Sequence, residues 1–133
     1  MKLNKYIRIL IGVAFAALFC FWVSGCSIFE PTQEKVFEVY AAELKRNLVY
    51  VENPPDLGTS EPITAAKGWR GDCSNYAAAL AEKTDAVVWR GILLDGRSHA
   101  MACIEMTCAD TIKPGVFKFD SSEWRAVWLL RPT

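Results

Sequence analysis

Apolar positions along the chain change their spacing several times, and each change marks an element. From Ile9 to Val23 they form an unbroken uncharged run. Val36, Phe37, Val39, Tyr40, Leu44 and Leu48 then recur at helical spacing, which predicts an amphipathic helix over roughly Thr32 to Leu48. Pro31 suits its first turn, and Glu34 sits where the helix dipole favours an acid. Between Glu52 and Gly68 the pattern stops: ENPPDLGTSEPITAAKG holds three prolines and two glycines and reads as a long loop. Loops of this length in compact domains are functional or disordered, and this one leads into Trp69 and GDCSNYA as one wall of a site.

Asp72 or Cys73 opens a second, alanine-rich helix with Cys73, Ala77 and Leu80 on one face. Strand patterns follow at Val87–Leu94, at His99–Thr107 beyond the Asp95-Gly96 turn signal, at Val116–Asp120 and at Ala126–Leu130. On the second of these, His99, Met101, Cys103 and Glu105 share a face. CADTIKPG reads as the connection to the third. Two helices and an antiparallel meander define an α+β domain.

The first apolar run changes the picture of the whole chain. Lys2, Lys5 and Arg8 precede it with no acid, which is the layout of a secretory signal peptide. The run is short for a membrane span, which needs ~20 apolar residues. Val23-Ser24-Gly25-Cys26 resembles the lipobox of bacterial lipoproteins, and the resemblance implies that Cys26 becomes the acylated mature N-terminus. Two or more acyl chains give the stable anchoring that one does not. The expected organisation is a lipoprotein signal peptide over 1–25, a tether over 26–31 and one domain over 32–133. Ser27 favours outer-membrane sorting, facing the periplasm, in a Gram-negative host; a soluble secreted protein cleaved nearby is the alternative.

Loss of the signal segment leaves twelve basic against fifteen acidic residues, a net charge of −3. There is no basic patch interleaved with aromatics, so nucleic-acid binding is not expected.

The candidate chemistry lies on Cys73, His99 and an acid. A cysteine in the first turn of a helix has its thiolate favoured by the helix dipole, more so beside an imidazolium. His99 is the chain's one histidine and opens a strand just after a turn, where its side chain can reach a helix end. If Met106 faces Val116 across a hairpin, His99 falls opposite Asp120 to Glu123. Asp120 is then the orienting acid of a nucleophile–base–orienter set, with Glu123 as the alternate. A rim histidine without a task and an exposed structural acid are the plain readings of the same residues.

GDCSNYA, SHAMACI and FKFDSS together resemble the transglutaminase-like superfamily, in particular the bacterial transglutaminase-like cysteine proteinases, over roughly Trp69 to Trp128. The resemblance implies a papain-like, transglutaminase-like core with the cysteine helix packed on a small antiparallel sheet. It makes Cys73 the nucleophile, His99 the general base and acid, and Asp120 the orienter. Trp69 is a candidate for the site wall or, through its indole N–H, for the oxyanion site. The function implied is a thiol hydrolase of peptide or isopeptide bonds, with a peptide, protein or peptidoglycan substrate. Some of these proteinases bind calcium through acids flanking the cysteine. Here Ser74 and Asn75 take such places, too few carboxylates remain for a calcium ion, and no cofactor is expected. Ser98 also replaces the usual glycine before the histidine.

Papain-related cell-wall endopeptidases share the Asp-Cys-Ser at a helix start and are the second reading. A non-catalytic envelope module that keeps the fold is the third. Cys103 and Cys108 read as two small buried thiols, a disulfide requiring the chain to turn by Met106. Their spacing, with one histidine, does not suit zinc.

Overall fold

A computed structural model describes residues 30–130. The signal segment and Cys26 lie outside the described residues. From Thr32 onward the chain forms one compact unit. Helix α1 spans Gln33–Asn47, and Thr32 caps it by accepting the Lys35 N–H at 3.3 Å. Pro31 therefore precedes the cap instead of occupying the first turn. Phe37, Ala41 and Leu44 form its buried stripe, whereas Val36 and Val39 are exposed.

Strand β1 (Val49–Tyr50) pairs in parallel with β2 (Arg70–Gly71). The loop expected between them is present and ordered by local bonds, including a 3-10 turn at Ala65–Lys67 capped by Thr64. Helix α2 spans Cys73–Lys83. Five strands follow: β3 (Val87–Leu93), β4 (Ser98–Ile104), β5 (Thr107–Ala109), β6 (Phe117–Lys118) and β7 (Trp124–Leu129). They form one antiparallel sheet in the order β6-β5-β4-β3-β7. The fold is α+β, as expected.

The second strand is shorter than its pattern predicts. The chain reverses at Glu105-Met106, with Glu105 at φ 52°, and Thr107 begins β5 instead of ending β4. Cys103 and Cys108 then face each other across the hairpin with Cα atoms 4.1 Å apart, and they form a disulfide. The two-thiol reading is thus corrected: the turn comes early enough for the bond.

The sheet has two differently packed faces. Ala100, Ala102 and Ala109 present small side chains toward the cluster that holds Phe37, Leu44, Tyr76 and Leu80, so the helices approach the strands closely. Tyr76 links the helices by donating its hydroxyl to Ala41 O at 3.0 Å. The second cluster gathers Met101, Cys103, Cys108 and Trp124, with Trp89, Leu93, Phe117, Phe119 and Val127 packed against it.

Candidate active site

The segment Gly71-Asp72-Cys73-Ser74-Asn75 has a physical reason at almost every position. A Cβ on Gly71 would stand 2.7 Å from Asn75 Cβ and 2.8 Å from Ile63 Cγ1, so only glycine lets the helix start this close to the loop. Asp72 caps α2, accepting the Ser74 and Asn75 N–H groups at 2.8 and 3.2 Å. Asn75 returns the bond by accepting the Asp72 N–H at 3.0 Å, which completes a capping box. Its amide nitrogen donates to Gly58 O and Glu61 O, both at 2.8 Å. Asn75 therefore fastens the long loop to the cysteine helix, a task an acid could not perform. Cys73 is the helix's first residue and its thiol is free.

His99, at the start of β4, is held from two directions. Its Nε2–H donates to Asp110 Oδ2 at 2.8 Å, with the two side chains only 5% and 4% exposed. Its ring stacks on Trp124, with centroids 5.9 Å apart and planes 25° apart. Gly91 lies opposite His99 on β3, where a Cβ would meet Ala126 O at 2.2 Å and the Trp124 ring at 2.8 Å. Glycine there leaves room for the tryptophan that supports the imidazole.

Asp110 follows the end of β5 and is fixed before any substrate arrives. Its Oδ1 accepts the Ile112 and Lys113 N–H groups at 2.9 and 2.7 Å. Lys45, in the last turn of α1, donates to Asp110 O at 3.0 Å and also to Lys113 O. One carboxylate oxygen thus holds its own loop while the other holds the histidine.

Asp120 does not occupy this position. It is exposed and caps the 3-10 turn Ser121–Glu123, accepting from Ser122 N at 2.9 Å and Ser122 Oγ at 2.6 Å. Glu123 pairs with Lys113. Because β5 intervenes, β4 never pairs with β6, and a register counted across those two strands selects the wrong acid. Asp110 carried a signal of its own: an aspartate opening Asp-Thr-Ile-Lys-Pro-Gly suits an Asx turn.

The electrostatics tie the three groups together. Burial alone would push the Cys73 thiol up, but hydrogen bonds from His99 and from the Ala100 N–H, with the histidine's charge, bring it below its ordinary value. Burial would likewise lower His99; its bonds to Asp110 and Cys73 and their charges outweigh this and raise it to about 9. Burial works to raise Asp110, yet the bond from His99 and the Lys113 N–H hold it below the usual carboxylate range. Each of the three shifts runs toward the charged form of its group: thiolate, imidazolium and carboxylate.

Cys73 and His99 open into a cleft of about 640 Å³, lined also by Tyr50, Glu52, Arg90, Arg97 and Thr111. Trp69 is not among its lining residues. It packs half-buried against the helix-side core at φ 57°, so the wall function expected of it passes to Tyr50 and its neighbours. Among the described residues no group of three or more His, Cys, Asp or Glu is placed to hold a metal ion. Comparison with family models, curated proteins and solved structures returns no match.

Proposed function

We propose that this protein is a lipid-anchored envelope thiol hydrolase that cleaves peptide or isopeptide bonds through Cys73, His99 and Asp110, on a transglutaminase-like, papain-like core. The observation that carries the reading is the buried 2.8 Å His99–Asp110 bond beside a free cysteine at a helix N-terminus. A histidine without a task does not need a buried carboxylate that is itself fixed by two backbone N–H groups. The anchor is proposed from Cys26, which places the site at the envelope, facing the periplasm in a Gram-negative host. Peptidoglycan stem peptides and envelope proteins are the peptide substrates nearest to it.

In this mechanism the Cys73 thiolate attacks the carbonyl carbon, forming a C–S bond and an oxyanion. Asp72 takes the N–H groups of Ser74 and Asn75, which leaves the Cys73 N–H at the helix end as the backbone donor for that oxyanion. Collapse breaks the C–N bond, and the His99 imidazolium gives its proton to the leaving amine. Neutral His99 then takes a proton from water as the oxygen attacks the thioester. The acid departs, and thiolate and imidazolium are restored. Asp110 keeps Nε2 protonated throughout, so the nitrogen that exchanges protons with the thiol and substrate is Nδ1.

The test is to incubate the purified protein with peptidoglycan fragments and envelope proteins and to identify new termini by mass spectrometry. Cleavage that disappears in Cys73→Ala supports the proposal. Cleavage unchanged in that variant contradicts it.

A further inference from the structure

Arg90 lies on β3 and reaches the first turn of α2, where its Nη2 donates to Ser74 Oγ at 2.5 Å. This puts a guanidinium one residue from the nucleophile, on the lining of the same cleft. The second arginine of the lining, Arg97, is engaged by Asp95 at 2.7 Å. Arg90 has no carboxylate within ion-pair distance among the described residues, and Ser74 is its side chain's hydrogen-bond partner there. Of the acids lining the cleft, Asp72 accepts the Ser74 and Asn75 N–H groups through Oδ1 and Glu52 is exposed, and neither forms an ion pair with Arg90. A guanidinium offers five N–H donors in a fixed fork that suits a carboxylate. The N-terminal end of α2 adds a favourable field for an anion at the same place.

We infer that Arg90 is the specificity residue of the cleft and selects acyl donors that carry a carboxylate close to the bond under attack. This rests on the Cys73 thiolate reading. It narrows the substrate class to acidic peptides and to peptides whose free carboxylate lies beside the scissile carbonyl. Ser74 holds the guanidinium in place and leaves its remaining donors for the substrate anion.

Iodoacetate and iodoacetamide test this on the full chain, because they have the same size and differ in the carboxylate. In each, the Cys73 sulfur forms a bond to the CH₂ carbon as iodide leaves, so the reaction balances without any further reagent. The two rate constants are measured at neutral pH by following the alkylated Cys73 peptide. Wild-type protein is expected to favour iodoacetate relative to Arg90→Gln. Loss of one charge-assisted contact should lower the iodoacetate-to-iodoacetamide rate ratio about tenfold in that variant. The iodoacetamide rate should hold, which also reports an intact site. Arg90→Lys should recover part of the ratio, and Arg97→Gln should leave it near wild type. An unchanged ratio in Arg90→Gln at an unchanged iodoacetamide rate overturns the assignment, as does a loss that follows Arg97 instead. Wild-type Cys73 that reacts with iodoacetamide no faster than an ordinary thiol at neutral pH overturns the thiolate reading itself.

Discussion

His99 Nε2 lies 2.8 Å from Asp110 Oδ2, and both side chains are almost completely shielded from water. A charged pair in such a place is costly unless every partner is satisfied. Here the second carboxylate oxygen has two backbone N–H groups, and among the described residues no buried side-chain nitrogen or oxygen lacks a partner. The pair is therefore specified from both ends.

That geometry separates two acids. Asp110→Asn should lower hydrolysis by several orders of magnitude, about the 10⁴-fold seen when an orienting carboxylate becomes an amide in a serine triad. Asp120→Asn should leave turnover unchanged, because Asp120 only caps an exposed turn. Steady-state rates of both variants, measured beside their melting curves, decide between them. Loss in Asp120→Asn with activity retained in Asp110→Asn would reverse the assignment.

The same pair makes stability depend on pH. His99 is raised from 6.5 to about 9 in the folded protein, so its stabilisation is fully present below the unfolded value. It is lost as pH rises from about 6.5 through about 9. Asp110 is lowered, so its contribution is present above its unfolded value and is lost on acidification. Melting temperatures of Cys73→Ala and of Cys73→Ala with Asp110→Asn, compared between pH 6 and 10, isolate the pair from the thiol. The gap between them should shrink across that window; a constant gap would mean that the two groups do not share a proton.

Asn75 should matter for the loop as much as for the helix. Asn75→Ala removes two bonds to the loop and half of the capping box, at a cost of about 2–4 kcal/mol when buried partners are left unsatisfied. Limited proteolysis should then cut between residues 53 and 62, where the wild-type chain resists. Equal resistance in both would show that the loop is held by other contacts. Asn75→Asp should not restore it, since a carboxylate cannot donate to Gly58 O and Glu61 O.

Much of this fold is legible from local pattern. The α1 stripe, the capped start of α2 at Cys73 and the β3 strand all depend on neighbours a few residues away, and sequence spacing reports those. Cys73 and His99 are found together because each carries its own local signal, a helix start and a strand start. Asp110 was hidden by a non-local fact. The turn at Glu105-Met106 has neither glycine nor asparagine, so alternation runs through it unbroken from His99 to Thr107. Reading one strand where there are two moved the partner of β4 by one strand and the orienting acid by ten residues. The same slip concealed the Cys103–Cys108 bond, since opposed cysteines require that turn. Trp124 and Gly91 were equally out of reach. Their support of His99 exists only once β3, β4 and β7 lie side by side.

The measurement closest to the centre of the mechanism is the pH dependence of Cys73 alkylation by iodoacetamide. In wild-type protein the reactive thiolate should persist below the titration of a free cysteine at about 8.5, in the direction in which His99 and the Ala100 N–H shift the thiol. The rate should change again near the titration of His99, about 9. His99→Gln should remove the early plateau and raise the Cys73 titration. A wild-type curve with one step near that of free cysteine, unaltered in His99→Gln, would contradict a thiolate held by His99 and Asp110.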